Sequence, residues 1–209
     1  AVAAPKGLGT ARMDLMAMMT ATAPSMLDAF GRLPDKILVV RAPDPMWRGG
    51  LSGPNSMWLH ADRPLISENG SSTLMHETIH IVTRIRGAAG DDWIAEGIAE
   101  YYGTEMLRRA GLLSEARAGK AIAWMRRHGS AVRSLHSSDS HGKRTARAVA
   151  LFADLDEEIR ERSGGRRSLD EVARALMRDG ARVSVEDLRR AAKEAIGAPS
   201  KVLGTSLLD

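Results

Sequence analysis

Ser71-Ser72-Thr73-Leu74-Met75-His76-Glu77-Thr78-Ile79-His80-Ile81-Val82-Thr83-Arg84-Ile85-Arg86, followed shortly by Trp93-Ile94-Ala95-Glu96-Gly97-Ile98-Ala99-Glu100-Tyr101-Tyr102, decides how this chain is read. The first stretch has the period of one amphipathic helix, with Leu74, Ile79 and Val82 on its buried side. His76 and His80 stand four residues apart, so both imidazoles project from one face and can bind a single tetrahedral metal. Glu77 lies about 100° round the helix from His76. From that edge its carboxylate can reach a water on the metal without displacing it, which is the geometry a general base needs.

Two histidines do not close a zinc site, and the second stretch offers Glu96 as the third ligand. Asp92 is expected to cap that helix. Glu100, one turn beyond Glu96, can accept a hydrogen bond from the outer nitrogen of a liganding histidine. Gly97 is expected to let the two helices approach closely at the metal. Three protein ligands leave a position for water, whose pKa zinc lowers towards neutrality. The expected chemistry is hydrolysis, with Glu77 taking a proton as water attacks a polarised carbonyl and passing it to the leaving group.

The rest of the chain limits the alternatives. Its 209 residues contain no cysteine, which excludes disulfides, thiolate zinc sites and cysteine nucleophiles and leaves His, Asp and Glu to hold any metal. The net charge of +4 comes from arginines interleaved with acidic residues, and only two Tyr and two Phe are present to stack on bases. A solvated surface of mixed charge is the reading, and no nucleic-acid partner is expected. No apolar run has the length of a membrane span. The small residues Ala1-Val2-Ala3-Ala4-Pro5 fit a remnant of export processing or of cloning, so a periplasmic or secreted location is slightly favoured over the cytoplasm.

Upstream of the motif, Met13, Met16, Met19, Ala23, Met26, Leu27 and Phe30 recur at steps of three and four and predict a buried helical face over about 9–30. Pro24 is expected to kink or restart this helix, and Gly31 to end it. Residues 36–41 and 56–60 are strand candidates that together predict a small sheet. Downstream, breaks at Gly87-Ala88-Ala89-Gly90, Gly111, Gly129, Ser163-Gly164-Gly165 and Asp179-Gly180 divide the chain from Ser71 onward into about six helices. Ser168 with Glu171 fits a capping box, and Ser184 opens a helix whose first turn holds Glu186 and Asp187. Val149, Phe152, Leu155 and Ile159 should bury one side of a helix over about 145–162. The expected architecture is α+β and mostly helical, a single domain with a helix, small sheet and motif helix in 1–86 and a helical lobe in 87–209.

These motifs together resemble the gluzincin clan of zinc peptidases, and within it the glycyl-aminopeptidase family. The resemblance runs from about Phe30 to Ala195 and takes in Phe30-Gly31-Arg32-Leu33-Pro34, Gly49-Gly50-Leu51, Glu158-Ile159-Arg160 and Ser168-Leu169-Asp170-Glu171-Val172. It implies a thermolysin-like (zincin) catalytic domain, with Zn2+ on His76, His80 and Glu96, Glu77 as catalytic base, and a peptide or protein as substrate. The chain also departs from that pattern. Only fifteen residues separate His80 from Glu96, fewer than the family usually has. Ser52 follows Gly49-Gly50-Leu51 where an amine-gripping Glu is common, and Arg144-Thr145-Ala146-Arg147-Ala148 stands where a Tyr usually stabilises the oxyanion. His136 and His141, in the Ser/His-rich segment before that helix, are the candidate replacements. Tyr101 and Tyr102 read as packing residues; His60 and His128 receive no role. Substrate backbone is expected to add to strand 57–60, taken as the sheet edge beside the His76 helix. The alternative reading is a zinc-binding, catalytically weak or inactive domain that binds peptides or partner proteins.

Overall fold

Alternation in Leu38–Ala42 and Ser56–His60 produces two central strands of a sheet whose core face carries Val39, Met57 and Leu59, all buried. The computed structural model describes residues 1–9, 11–177 and 182–208. In chain order it contains β1 (Val2–Ala3), α1 (Arg12–Phe30), β2 (Leu38–Ala42), β3 (Gly50–Ser52), β4 (Ser56–His60), α2 (Thr73–Thr83), α3 (Asp92–Arg109), α4 (Glu115–Gly129), α5 (Lys143–Ser163), α6 (Leu169–Leu176) and α7 (Val185–Ile196), then a short 3-10 turn at Ser206–Leu208. The class is α+β and mostly helical. Among the described residues no helix is long and apolar enough to cross a membrane.

The sheet has four strands in the order β1-β2-β4-β3, where two were expected. β1 and β4 run parallel to β2, whereas β3 is antiparallel to β4, with Gly50 opposite Leu59 and Ser52 opposite Met57. Residues 57–60 are therefore interior, and the edge beside the motif helix is β3. A three-residue strand beginning with glycine has too few side chains to show a period of two, which is why it reads as a turn in the sequence.

Helix α1 buries a different face from the one its methionines predict. Leu15, Met18, Thr22, Met26 and Ala29 point inward, while Met13, Met16 and Leu27 are 69%, 52% and 50% exposed. Pro24 does not break it. Apolar residues on both sides of the proline are buried, Leu15 and Met18 before it and Met26 and Phe30 after it, so tertiary packing outweighs the lost backbone bond. Gly31 ends the helix in the left-handed region at φ 71° and donates its N–H to Leu27.

The six downstream helices follow the glycine breaks, except that the Asp179-Gly180 break lies outside the described residues. Both capping boxes form, Ser168 with Glu171 and Ser184 with Asp187. Val149, Phe152, Leu155 and Ile159 are all buried on α5. One hydrophobic cluster joins every helix, with Trp93, Tyr102 and Phe152 among its largest members. Two glycines set the position of α5 within it. A Cβ on Gly97 of α3 would lie 2.7 Å from the Ala148 Cβ, and one on Gly129 of α4 would lie 2.5 Å from the Arg147 nitrogen. Gly97 thus serves the contact of α3 with α5, not the expected contact with the motif helix. It is Gly103 that faces α2, with ordinary spacing to the His76 backbone.

Candidate metal centre

Helix α2 starts at an N-cap serine, Ser72, whose hydroxyl accepts the Met75 N–H at 3.2 Å. One turn later the helix presents His76 and His80, with their Nε2 atoms 3.1 Å apart. Helix α3, packed against it, brings Glu96 across. One Glu96 oxygen lies 3.3 Å from His76 Nε2 and the other 3.3 Å from His80 Nε2. A tetrahedral zinc with ligands at about 2.0–2.1 Å has ligand-to-ligand edges of about 3.3 Å. Each residue offers one ligand atom within 4.8 Å of the other two, so small side-chain adjustments would let one such ion reach all three.

Glu100 Oε2 is 2.9 Å from His76 Nδ1, so the ring nitrogen facing away from the cluster is held by a carboxylate. Burial alone would pull the His76 pKa down, but the hydrogen bonds and charges of Glu100 and Glu96 outweigh it and raise it to about 10. Burial would likewise raise Glu96, and the two imidazoles instead hold its carboxyl down at about 2.

Glu77 is buried and lies against the sheet edge. A Cβ placed on Gly50 would fall 2.9 Å from Glu77 Oε1 and 2.5 Å from the Thr73 methyl, so only glycine lets β3 pass this close. Among the described residues no hydrogen bond or ion pair engages the Glu77 carboxylate. Its oxygens stay available for proton transfer, unlike those of a carboxylate clamped by arginine.

An open cleft of about 440 Å³ joins His76, Glu77, Glu96 and Glu100 to Gly49 and Gly50 on one side and to Ser140, His141, Gly142 and Thr145 at the start of α5. His141 lines this cleft, well exposed, with Nδ1 3.5 Å from Asp139. His136 does not. Its ring covers Gly90, where a Cβ would fall 1.8 Å from it, and faces Asp91 at 4.0 Å. Asp92 does not cap α3; its carboxylate accepts the Ser140 N–H at 3.0 Å and ties the loop before α5 to the start of α3. Burial pushes the Asp92 carboxyl up.

Cleft residues that sequence reasoning missed are Trp47, Trp124 and Thr145, along with His128, which had received no role. Trp124 and His128 are one turn apart on α4 and stack at 4.6 Å and 14°, an i,i+4 aromatic pair that the sequence does display. Trp47 lies in an aperiodic, proline-containing segment with no comparable signal. Tyr101 and Tyr102 pack inside, their hydroxyls donating to Asp156 and Asp170. His60 is buried beside Asp44 and Asp62, a second group with metal-ligand atoms close together. There Arg48 already pairs with both carboxylates, so a guanidinium supplies the positive charge.

No protein-family model and no curated protein matches the sequence. Among solved structures the chain is similar to an aminopeptidase N family protein from Idiomarina loihiensis, at 16% identity and a TM-score of 0.62. The match takes in 97% of this chain and 40% of that one, so the chain spans two-fifths of the length of that protein. The likeness is one of fold.

Proposed function

We propose that this protein is a zinc-dependent peptidase with a thermolysin-like catalytic core, cleaving peptide bonds with Glu77 as general base. The observation that carries the reading is the convergence of His76, His80 and Glu96 within reach of one ion, with an uncommitted, buried carboxylate, Glu77, on the helix of the two histidines. His76, His80 and Glu96 hold the ion, and Glu100 fixes the ring direction of His76. Bound zinc supplies Lewis acidity towards a carbonyl and a water. Glu77 accepts the proton of the attacking water and returns it to the departing amine. Substrate backbone adds to the outer side of β3 at Gly50–Ser52, where the glycine keeps the path to Glu77 short. His141 is the candidate oxyanion donor at the cleft.

The test is zinc content together with hydrolysis of an internally quenched peptide library by the wild type and by Glu77→Gln. One zinc per chain and turnover lost in the variant is the expected result. A second reading, a zinc-binding peptidase-like domain that binds peptides or partner proteins without cleaving them, draws on Ser52 after Gly49-Gly50-Leu51 and on the stretch Arg144-Thr145-Ala146-Arg147-Ala148, which lack the Glu and Tyr of the resembled family. Stoichiometric zinc with no turnover would select it. Failure to take up zinc would remove both.

A further inference from the structure

Two of the four tryptophans are kept out of the core. Trp47 is 67% exposed and Trp124 36%, and both line the cleft that contains His76 and Glu77. Large exposed apolar faces are unfavourable in water unless something covers them in use. Neither ring is loose. Trp47 stacks on Trp58 at 6.1 Å and 28°, and covers Gly49, where a Cβ would fall within 2.4 Å of three indole carbons. Trp124 lies parallel on His128 at 4.6 Å, with Met125 beside it in the lining. The two rings come from different walls, Trp47 from the segment entering β3, which packs on α2, and Trp124 from α4, which packs on α5.

We infer that Trp47 and Trp124 are specificity-determining residues that bind aromatic side chains of a peptide, each from its own wall of the cleft; the inference rests on the peptidase reading. Braced indoles lose little conformational freedom on binding and favour a second ring in stacked or edge-on geometry. A cationic side chain could also cover an indole. Glu96 and Glu100 are committed to the imidazoles and Arg63 lines the same cleft, whereas the free Glu77 carboxylate would attract a cation, so the Arg peptide is the discriminating competitor.

The experiment uses the zinc-loaded Glu77→Gln protein, in which indole fluorescence follows binding of end-blocked peptides without cleavage. Three peptides that differ at one position, Phe, Ala or Arg, are compared with an N-acetylhexosamine oligosaccharide. The Phe peptide is expected to bind on the order of tenfold tighter than the Ala peptide. Trp47→Ala and Trp124→Ala should each reduce that ratio towards one, Trp124→Phe should keep most of it, and zinc content and melting temperature should not move. A ratio unchanged in both alanine variants, or a preference for the Arg peptide or the oligosaccharide, overturns the inference. In the wild type, hydrolysis that ignores Phe against Ala sinks this inference alone. Phe-selective binding without hydrolysis sinks the peptidase reading and leaves the subsites standing.

Discussion

Helix α3 contributes to two clusters of shielded carboxylates, Glu105 near its end, joined by Asp170 of α6, and Glu96 with Glu100 nearer its start, and they are neutralised in different ways. Glu105 accepts hydrogen bonds at 2.7 Å from both Arg108 and Arg109, and Arg109 reaches on to Asp170 through bonds of 2.7 and 2.9 Å. The Tyr102 hydroxyl closes that network on Asp170. Glu96 and Glu100 instead face the imidazoles of His76 and His80. A guanidinium is permanently charged and offers no lone pair, so the first set can only be structural. An imidazole can give up its proton and turn a lone pair to a cation, so the second set can exchange its protons for a metal ion.

The sharpest way to break this contrast is at the base. If the His76 set were another structural ion cluster, Glu77→Gln would leave function untouched; we expect a fall in kcat of about 10²–10⁴-fold with zinc retained, read from peptide turnover and metal analysis. The opposite outcome is expected at the other end of α3. Glu105→Ala leaves two partly buried guanidiniums short of a partner and should cost about 3 kcal/mol in urea unfolding, with zinc per chain unchanged.

Smaller effects sharpen the comparison. Glu100→Gln removes the carboxylate behind His76 and should weaken zinc binding about 10–100-fold in a chelator competition. It should also lower the melting temperature of the metal-free protein at neutral pH, because the same carboxylate supports the His76 charge. Acid should act on both clusters, on Glu96 beside its imidazoles and on the arginine network. Burial raises the Glu105 and Asp170 carboxyls, but hydrogen bonds from Arg108 and Arg109 to the first, and from Arg109 and Tyr102 to the second, outweigh it, so both stay below their ordinary values. Groups depressed in the folded state contribute stability that is full above the unfolded pKa and lost as pH falls through the folded one. Urea midpoints should therefore drop between about pH 5 and pH 2, and more gently in Glu105→Ala.

Much of the helical lobe was legible because its signals are local. Glycine breaks, the capping serines Ser168 and Ser184 and the α5 stripe act within a turn or two of chain. The spacing of His76, Glu77, His80, Glu96 and Glu100 was legible for the same reason. What stayed hidden depends on neighbours far away in sequence. Helix α1 has methionines at Met13, Met16, Met18, Met19 and Met26, so several faces are apolar and only packing decides which one is buried. The sheet edge is β3 because β4 is flanked by β2 and β3, a fact of topology that no periodicity carries. His136 and His141 look alike in sequence, and only the seat of His136 on Gly90 separates them.

Gly97 has a consequence out of proportion to its size. It follows Glu96 directly and sits where α3 meets α5, while the two histidines ride on a helix anchored to the sheet through Gly50. A methyl group at position 97 would act as a shim, lifting the carboxylate's helix off its bed and opening the bite of the three donors without altering any of them. Tolerance of this protein to change is therefore set as much by a residue with no side chain as by those that touch the ion, and a screen that guards only the donors would pass variants whose site no longer closes.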